Sequence, residues 1–180
     1  MKEVALQIRV EQPYKIAWGC SLLSSALLPE TLLRALREEA ERRGTTPEAL
    51  MVRLLLDIVS EEEKPRVLLE AARNSLEHAK PHRDKGEYHE AFKRLWVSVL
   101  LGLEAYALSR GVAPGSGLDW YWDTASDAAS QLGDVVLDAF YAGLAAFIAS
   151  REELSDETHF EAISKRVESL LVKLGESLGA

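Results

Sequence analysis

The stretch GEYHEAFKRLWVSVLLGLEAYALSRG, residues 86–111, decides the fold. Tyr88, Phe92, Leu95, Trp96, Val99, Leu103 and Ala107 recur at helical spacing, while Val97, Leu100, Leu101 and Leu108 cover much of the remaining circumference. A helix that is apolar on nearly every side has no stripe to give to water, so its place is the centre of a bundle. Asp84, Lys85 and Gly86 form a turn before it and Gly111 stops it, which predicts a helix over about 87–110.

Working outward, the preceding segment reads as its partner. Ser60 followed by Glu63 is a capping box for a helix over about 60–83, with Pro81 placed to shorten it. Val67, Leu68, Ala71, Ala72, Ser75, Leu76 and Ala79 line its inner face, and Glu70, Arg73 and Glu77 point away. Upstream, Pro29 opens a stripe of Leu32, Leu33, Leu36 and Ala40 that Gly44 ends. Thr46 then caps a helix with Pro47 at its first position and Leu50, Met51, Leu54, Leu55 and Ile58 inside, so the two short helices make a hairpin. Downstream of the Gly- and Pro-containing loop 111–118, helices are expected over about 119–132, 134–150 and 155–174. The one strand signal is VALQIRV, residues 4–10, where Val4, Leu6, Ile8 and Val10 alternate with smaller or polar residues. A single strand must pair with a second copy in a dimer or be a frayed end. These elements predict an all-α up-and-down bundle of about five helices over 61–180, behind a small module of strand plus helical hairpin over 1–60.

Composition narrows the function. Of 21 Lys and Arg and 29 Asp and Glu, residues 1–60 hold eight of each, leaving the bundle acidic within a net charge of -8. A broad phosphate-binding face is therefore not expected, although a local basic pocket is compatible. The single cysteine, Cys20, has no disulfide partner and no metal-ligand spacing around it, which fits a reducing, cytoplasmic setting. No export signal is expected, because the uncharged run 16–29 follows a segment of mixed charge and no apolar core precedes Cys20. The other long uncharged run, 139–150, is shorter than the roughly 20 residues of a membrane span. One Asn and three Gln among many Glu, Arg and Leu match the amide-poor composition of thermophile proteins.

With those residues in view, the chain resembles the archaeal PaREP repeat-associated family of uncharacterised proteins. Gly86, Glu87 and Tyr88 at the turn, then Ala91, Leu95 and Trp96, carry the similarity. The stretches DAFYAGLAAF (138–147) and LPETLLRALREEAERRG (28–44) resemble further blocks of that family, so the likeness covers most of 28–175. It implies an HEPN-like bundle. Members of the HEPN group act as dimers, and they include ribonucleases and nucleotidyltransferase partners, for which a nucleotide or RNA is the implied ligand.

HEPN ribonucleases pair an arginine, which holds a phosphate, with a histidine several residues later, which moves a proton. Two pairs here have that spelling. Arg83 and His89 straddle the Gly86 turn, so helix geometry does not keep them apart, and they are the candidate catalytic residues. Arg73 and His78 are the candidate nucleotide-binding pair, but on one continuous helix residues five apart point about 140° away from each other. The last helix, where the family motif belongs, carries only His159, with Arg151 eight residues before it. Asp119, Asp123 and Asp127, then Asp134 and Asp138, repeat at helical spacing; they read as helix starts and solvated positions rather than a magnesium site, and no metal or cofactor is expected. Trp120, Tyr121 and Trp122 read as bundle closure rather than a platform for bases. Glu104, the one charge between Arg94 and Arg110, is expected at the surface, with burial the alternative.

The expected function is a non-catalytic, intracellular binding or interaction module that homodimerises through apolar surface too extensive to leave exposed. The alternatives are an HEPN-type nucleotide-binding protein or ribonuclease, and a ribbon-helix-helix DNA regulator in which Gln7 and Arg9 read bases. The DNA reading is disfavoured by the neutral balance of residues 1–60 and by the long link from strand to helix.

Overall fold

The computed structural model describes residues 28–152 and 157–179. The strand expected over 4–10 lies outside them, and with it the DNA-reading residues. The described residues fall into two units that divide after Arg34. Of the first, the described part is the approach to and opening of α1 (Glu30–Arg42).

The regular structure among the described residues of the second unit is all helix. After α1 come α2 (Pro47–Leu55), a short 3-10 turn (Leu56–Ile58), α3 (Lys64–Asp84), α4 (Tyr88–Ser109), α5 (Leu118–Leu132), α6 (Val135–Arg151) and α7 (Glu157–Leu178). The all-α class is as the periodicity implied, and the bundle proper is the five helices α3 to α7.

Helix α4 is the axis: α3, α5, α6 and α7 all pack against it, and every residue from Ala91 to Ala107 is buried. The reason is the absence of a polar stripe, since the core needs a helix able to take apolar neighbours on all sides. Two glycines set how closely the neighbours come. A Cβ at Gly102 would lie 3.0 Å from Leu174 of α7, and one at Gly143 of α6 would lie 2.9 Å from Val99 and 3.2 Å from Trp96 of α4. Helix α3 is held differently, through buried serines. Ser75 donates to the Arg94 carbonyl at 2.9 Å and Ser98 donates to the Ala72 carbonyl at 2.8 Å, one bond in each direction across the interface. The connection between them turns on Gly86, whose φ of 75° is the left-handed region that glycine enters without strain.

Two local expectations change. Pro81 does not shorten α3, which continues to Asp84. The proline removes one backbone donor in the last turn, where the chain is about to leave the helix anyway. The capping box also does not form as such. Ser60 and Glu63 bond side chain to side chain at 2.7 Å, residues 60–63 make a turn, and the helix begins at Lys64 with Pro65 at its second position. Thr46 does cap α2, accepting from the Ala49 amide at 3.3 Å.

Candidate functional site

The pair across the Gly86 turn is divided between two helices. Arg83 donates to Glu161 of α7 and, at 2.8 Å, to Asp84, and its guanidinium sits 5.4 Å from the centre of the Phe160 ring. His89 turns to the end of α6, where its Nδ1 bonds the Ser150 carbonyl oxygen. A carbonyl only accepts, so Nδ1 carries a proton there. Its Nε2 lies 3.7 Å from Glu90. Arg83 thus ties α3 to α7 and His89, through Nδ1, ties α4 to α6.

Arg73 and His78 diverge, as the helical wheel implies. His78 lies beside Arg94 and Glu48; burial, followed by the Arg94 charge, pulls its pKa below the ordinary histidine value. Arg73 instead lines a groove of about 740 Å³ at the end of the bundle where α3 starts and α4 and α7 finish. Pro65, Leu69, Leu108 and Leu178 supply its apolar surface, and Arg66, Arg73, Glu61, Glu62 and Glu70 its charge.

The strongest polar construction is one that periodicity hid. Three buried charges of α4 are each met by a charge from the end of α1 or from α2. Lys93 donates to Glu41 at 2.5 Å, Arg94 reaches Glu48 at 3.5 Å, and Arg53 grips Glu104 with bonds of 2.7 and 3.0 Å. The order along α2 follows the order along α4, so these two helices run in the same direction. Lys93 holds the Glu41 carboxyl below the usual carboxylate range. Burial works against ionisation of Glu48, but the Arg94 charge and hydrogen bonds outweigh it and keep that carboxyl low as well. Arg94 is less well served, since its Nε is buried with no hydrogen-bond partner.

Glu104 is the correction: it is buried, with 3% of its side chain exposed. Besides Arg53 it accepts from the Tyr121 hydroxyl at 2.5 Å, and Arg53 in turn donates to Thr45. Its position in the middle of an otherwise apolar segment was the available signal. Burial, then the neighbouring carboxylate, push the Tyr121 phenol well above its ordinary pKa, with Arg53 opposing. Above a pH of about 10 the unfolded chain therefore loses the Tyr121 proton while the folded chain keeps it, so stability falls as pH rises. Tyr121→Phe is expected to cost about 1 kcal/mol at neutral pH and to flatten that alkaline fall, the remainder reflecting Tyr106, which is also raised by burial. Urea unfolding at neutral and alkaline pH measures both, and parallel pH profiles for the two proteins would contradict the assignment.

The aspartate series does not converge. Among the described residues no group of three or more His, Cys, Asp or Glu is placed to hold a metal ion, and Asp127 accepts from Tyr106 at 2.9 Å. The aromatic run splits: Tyr121 faces the Glu104 cluster, while Trp122 packs edge-on against Phe140 and Tyr141, with ring centres 5.7 and 5.5 Å away. Among the described residues no helix is long and apolar enough to cross a membrane. No family model matches the chain, and neither a curated protein nor a solved structure matches it.

Proposed function

We propose that this protein is a non-catalytic, cytoplasmic binding or interaction module that self-associates as a homodimer, with an HEPN-like bundle related to the PaREP repeat-associated family. One observation carries the reading. Helix α6 has only Asp138 and Arg151 as charged residues, yet one of its sides remains open to solvent, with Tyr141 and Ile148 46% and 50% exposed beside Trp122 at 43%. Apolar side chains grouped on one face mark an interaction surface more often than a solvated one. In a chain with a net charge of -8, a face of α6 that carries Asp138 at one end and no other charge through Ile148 is also where two copies meet with less repulsion. The single Cys20 supports a reducing compartment.

The enzyme alternative draws less support, because Arg83 is held by Glu161 of α7 and by Asp84, while His89 Nδ1 is held by the Ser150 carbonyl of α6, so the pair is drawn to different helices. The expected mass in solution is twice the 20.0 kDa of the chain. Tyr141→Glu combined with Ile148→Glu is expected to give a folded monomer, since each buried carboxylate would cost more than the apolar contact it replaces. A wild-type protein that sediments as a monomer at about 100 μM, well above the dissociation constants of stable interfaces, would overturn the homodimer. A mixed RNA digest is expected to stay intact; cleavage that disappears in His89→Ala would replace this reading with the ribonuclease.

A further inference from the structure

Arg73 stands out among the cations of the bundle. Arg53, Lys64, Lys80, Arg83, Lys93, Arg94 and Lys173, the other Lys and Arg side chains that are buried or half-buried among the described residues, each pair with a carboxylate. Arg73 is half-buried and, among the described residues, has no ion pair, hydrogen bond or ring contact. Its neighbour along the groove, Arg66, is already engaged by Glu70 at 3.2 Å. A guanidinium that keeps water but has no carboxylate beside it is open to an anionic ligand, and the groove in front of it is where a matching anion would sit.

The rest of the lining selects the kind of anion. At about 740 Å³ the groove has the size of small-molecule sites. Its apolar residues, Pro65, Leu69, Leu108 and Leu178, are all aliphatic, and among the described residues no aromatic side chain lines it. A nucleobase would find no ring to stack on. Glu61, Glu62 and Glu70 border the same space, so a polyphosphate bringing several negative charges would be repelled, whereas one negative charge placed on Arg73 is balanced. The planar fork of arginine matches a carboxylate with two parallel bonds. Pro65 and Arg73 are eight residues apart on α3, about 12 Å, which gives an aliphatic chain of medium length a surface to lie along.

We propose that this groove binds an aliphatic molecule ending in a single carboxylate, with the carboxylate on Arg73 and the chain over Leu69, Leu108 and Leu178. The proposal is independent of self-association, which uses the α5 and α6 surface. Calorimetric titration of the full chain with decanoate is expected to show saturable binding with one site per chain. Arg73→Gln, at a half-exposed position that the fold tolerates, should weaken binding about 10-fold or more, as loss of a charge-assisted pair does. Lys165→Gln, on the exposed side of α7, should leave it unchanged, and decylamine and adenosine monophosphate should bind more weakly than decanoate. Absence of decanoate binding, equal binding by wild type and Arg73→Gln of unchanged helical content, or tighter binding of adenosine monophosphate would each overturn the assignment.

Discussion

Glu104→Ala is expected to destabilise the fold by about 3–5 kcal/mol, the range for breaking one side of a buried ion pair. The magnitude follows from what stays behind. Glu104 accepts from Arg53 Nε and Nη2 and from the Tyr121 hydroxyl, so its loss strands one charge and one hydroxyl together. Arg53 keeps 25% of its side chain exposed and can recover part of its hydration, which favours the lower half of the range. The cost arises from the unpaired partner rather than from the strength of the pair, so removing both charges should hurt less than removing one. Glu104→Leu combined with Arg53→Met is expected to lie within about 2 kcal/mol of wild type, because packing replaces a pair whose attraction roughly offset its desolvation. Chemical unfolding of Glu104→Leu, Arg53→Met and the double closes this cycle. If Glu104→Ala cost under about 1 kcal/mol, or if the effects of the two singles simply added, the cluster would not be the structural tie described here.

The same residues show what could be read in advance and what could not. Helix α4 was legible because burial on every side leaves its mark in the local sequence: from Ala91 to Ala107 few positions are polar. Its charged positions were not legible, since Lys93, Arg94 and Glu104 meet partners 46 to 52 residues earlier in the chain. Nothing within a helical turn of Glu104 announces Arg53. The tertiary pairing overrides the rule that charges face water, and α2 adds Glu48 and Arg53 to the apolar packing of Ala49, Leu50 and Val52.

For the candidate site the division is similar. The divergence of Arg73 and His78 follows from the helix alone. The groove in front of Arg73 does not, because its far wall comes from Leu108 and Leu178, brought there by the way α4 and α7 finish. Arg83 and His89 could be placed near the turn by spacing, but their partners, Glu161 and the Ser150 carbonyl, belong to helices whose approach no local pattern specifies. Spacing identifies which groups can act; packing decides which of them remain available.

Phe140→Ala is expected to cost about 3–5 kcal/mol through the loss of buried surface and the cavity left in its place. Phe140 is fully buried on α6 and touches Trp96 of α4 at 6.1 Å and Trp122 of α5 at 5.7 Å between ring centres, so a single side chain joins three helices. The cavity would not collapse easily. One turn away, Gly143 already brings α6 against Val99 and Trp96, so the helix cannot move inward to fill the space. The counterpart, Gly143→Ala, adds volume where none is free and is expected to cost about 1–3 kcal/mol by forcing Val99 or the α6 backbone to shift. Phe140→Leu, which keeps most of the volume, should fall well below the alanine change. Because Trp122 leans on Phe140 before it reaches solvent, Phe140→Ala should also weaken self-association, while Gly143→Ala, which faces α4 and touches neither Trp122 nor Tyr141, should alter stability with a smaller effect on the dimer. Thermal unfolding together with sedimentation at several concentrations separates the two effects. A Phe140→Ala protein as stable as wild type would mean that α6 is anchored elsewhere. Unchanged association in a destabilised variant would mean that Trp122 does not belong to the contact surface.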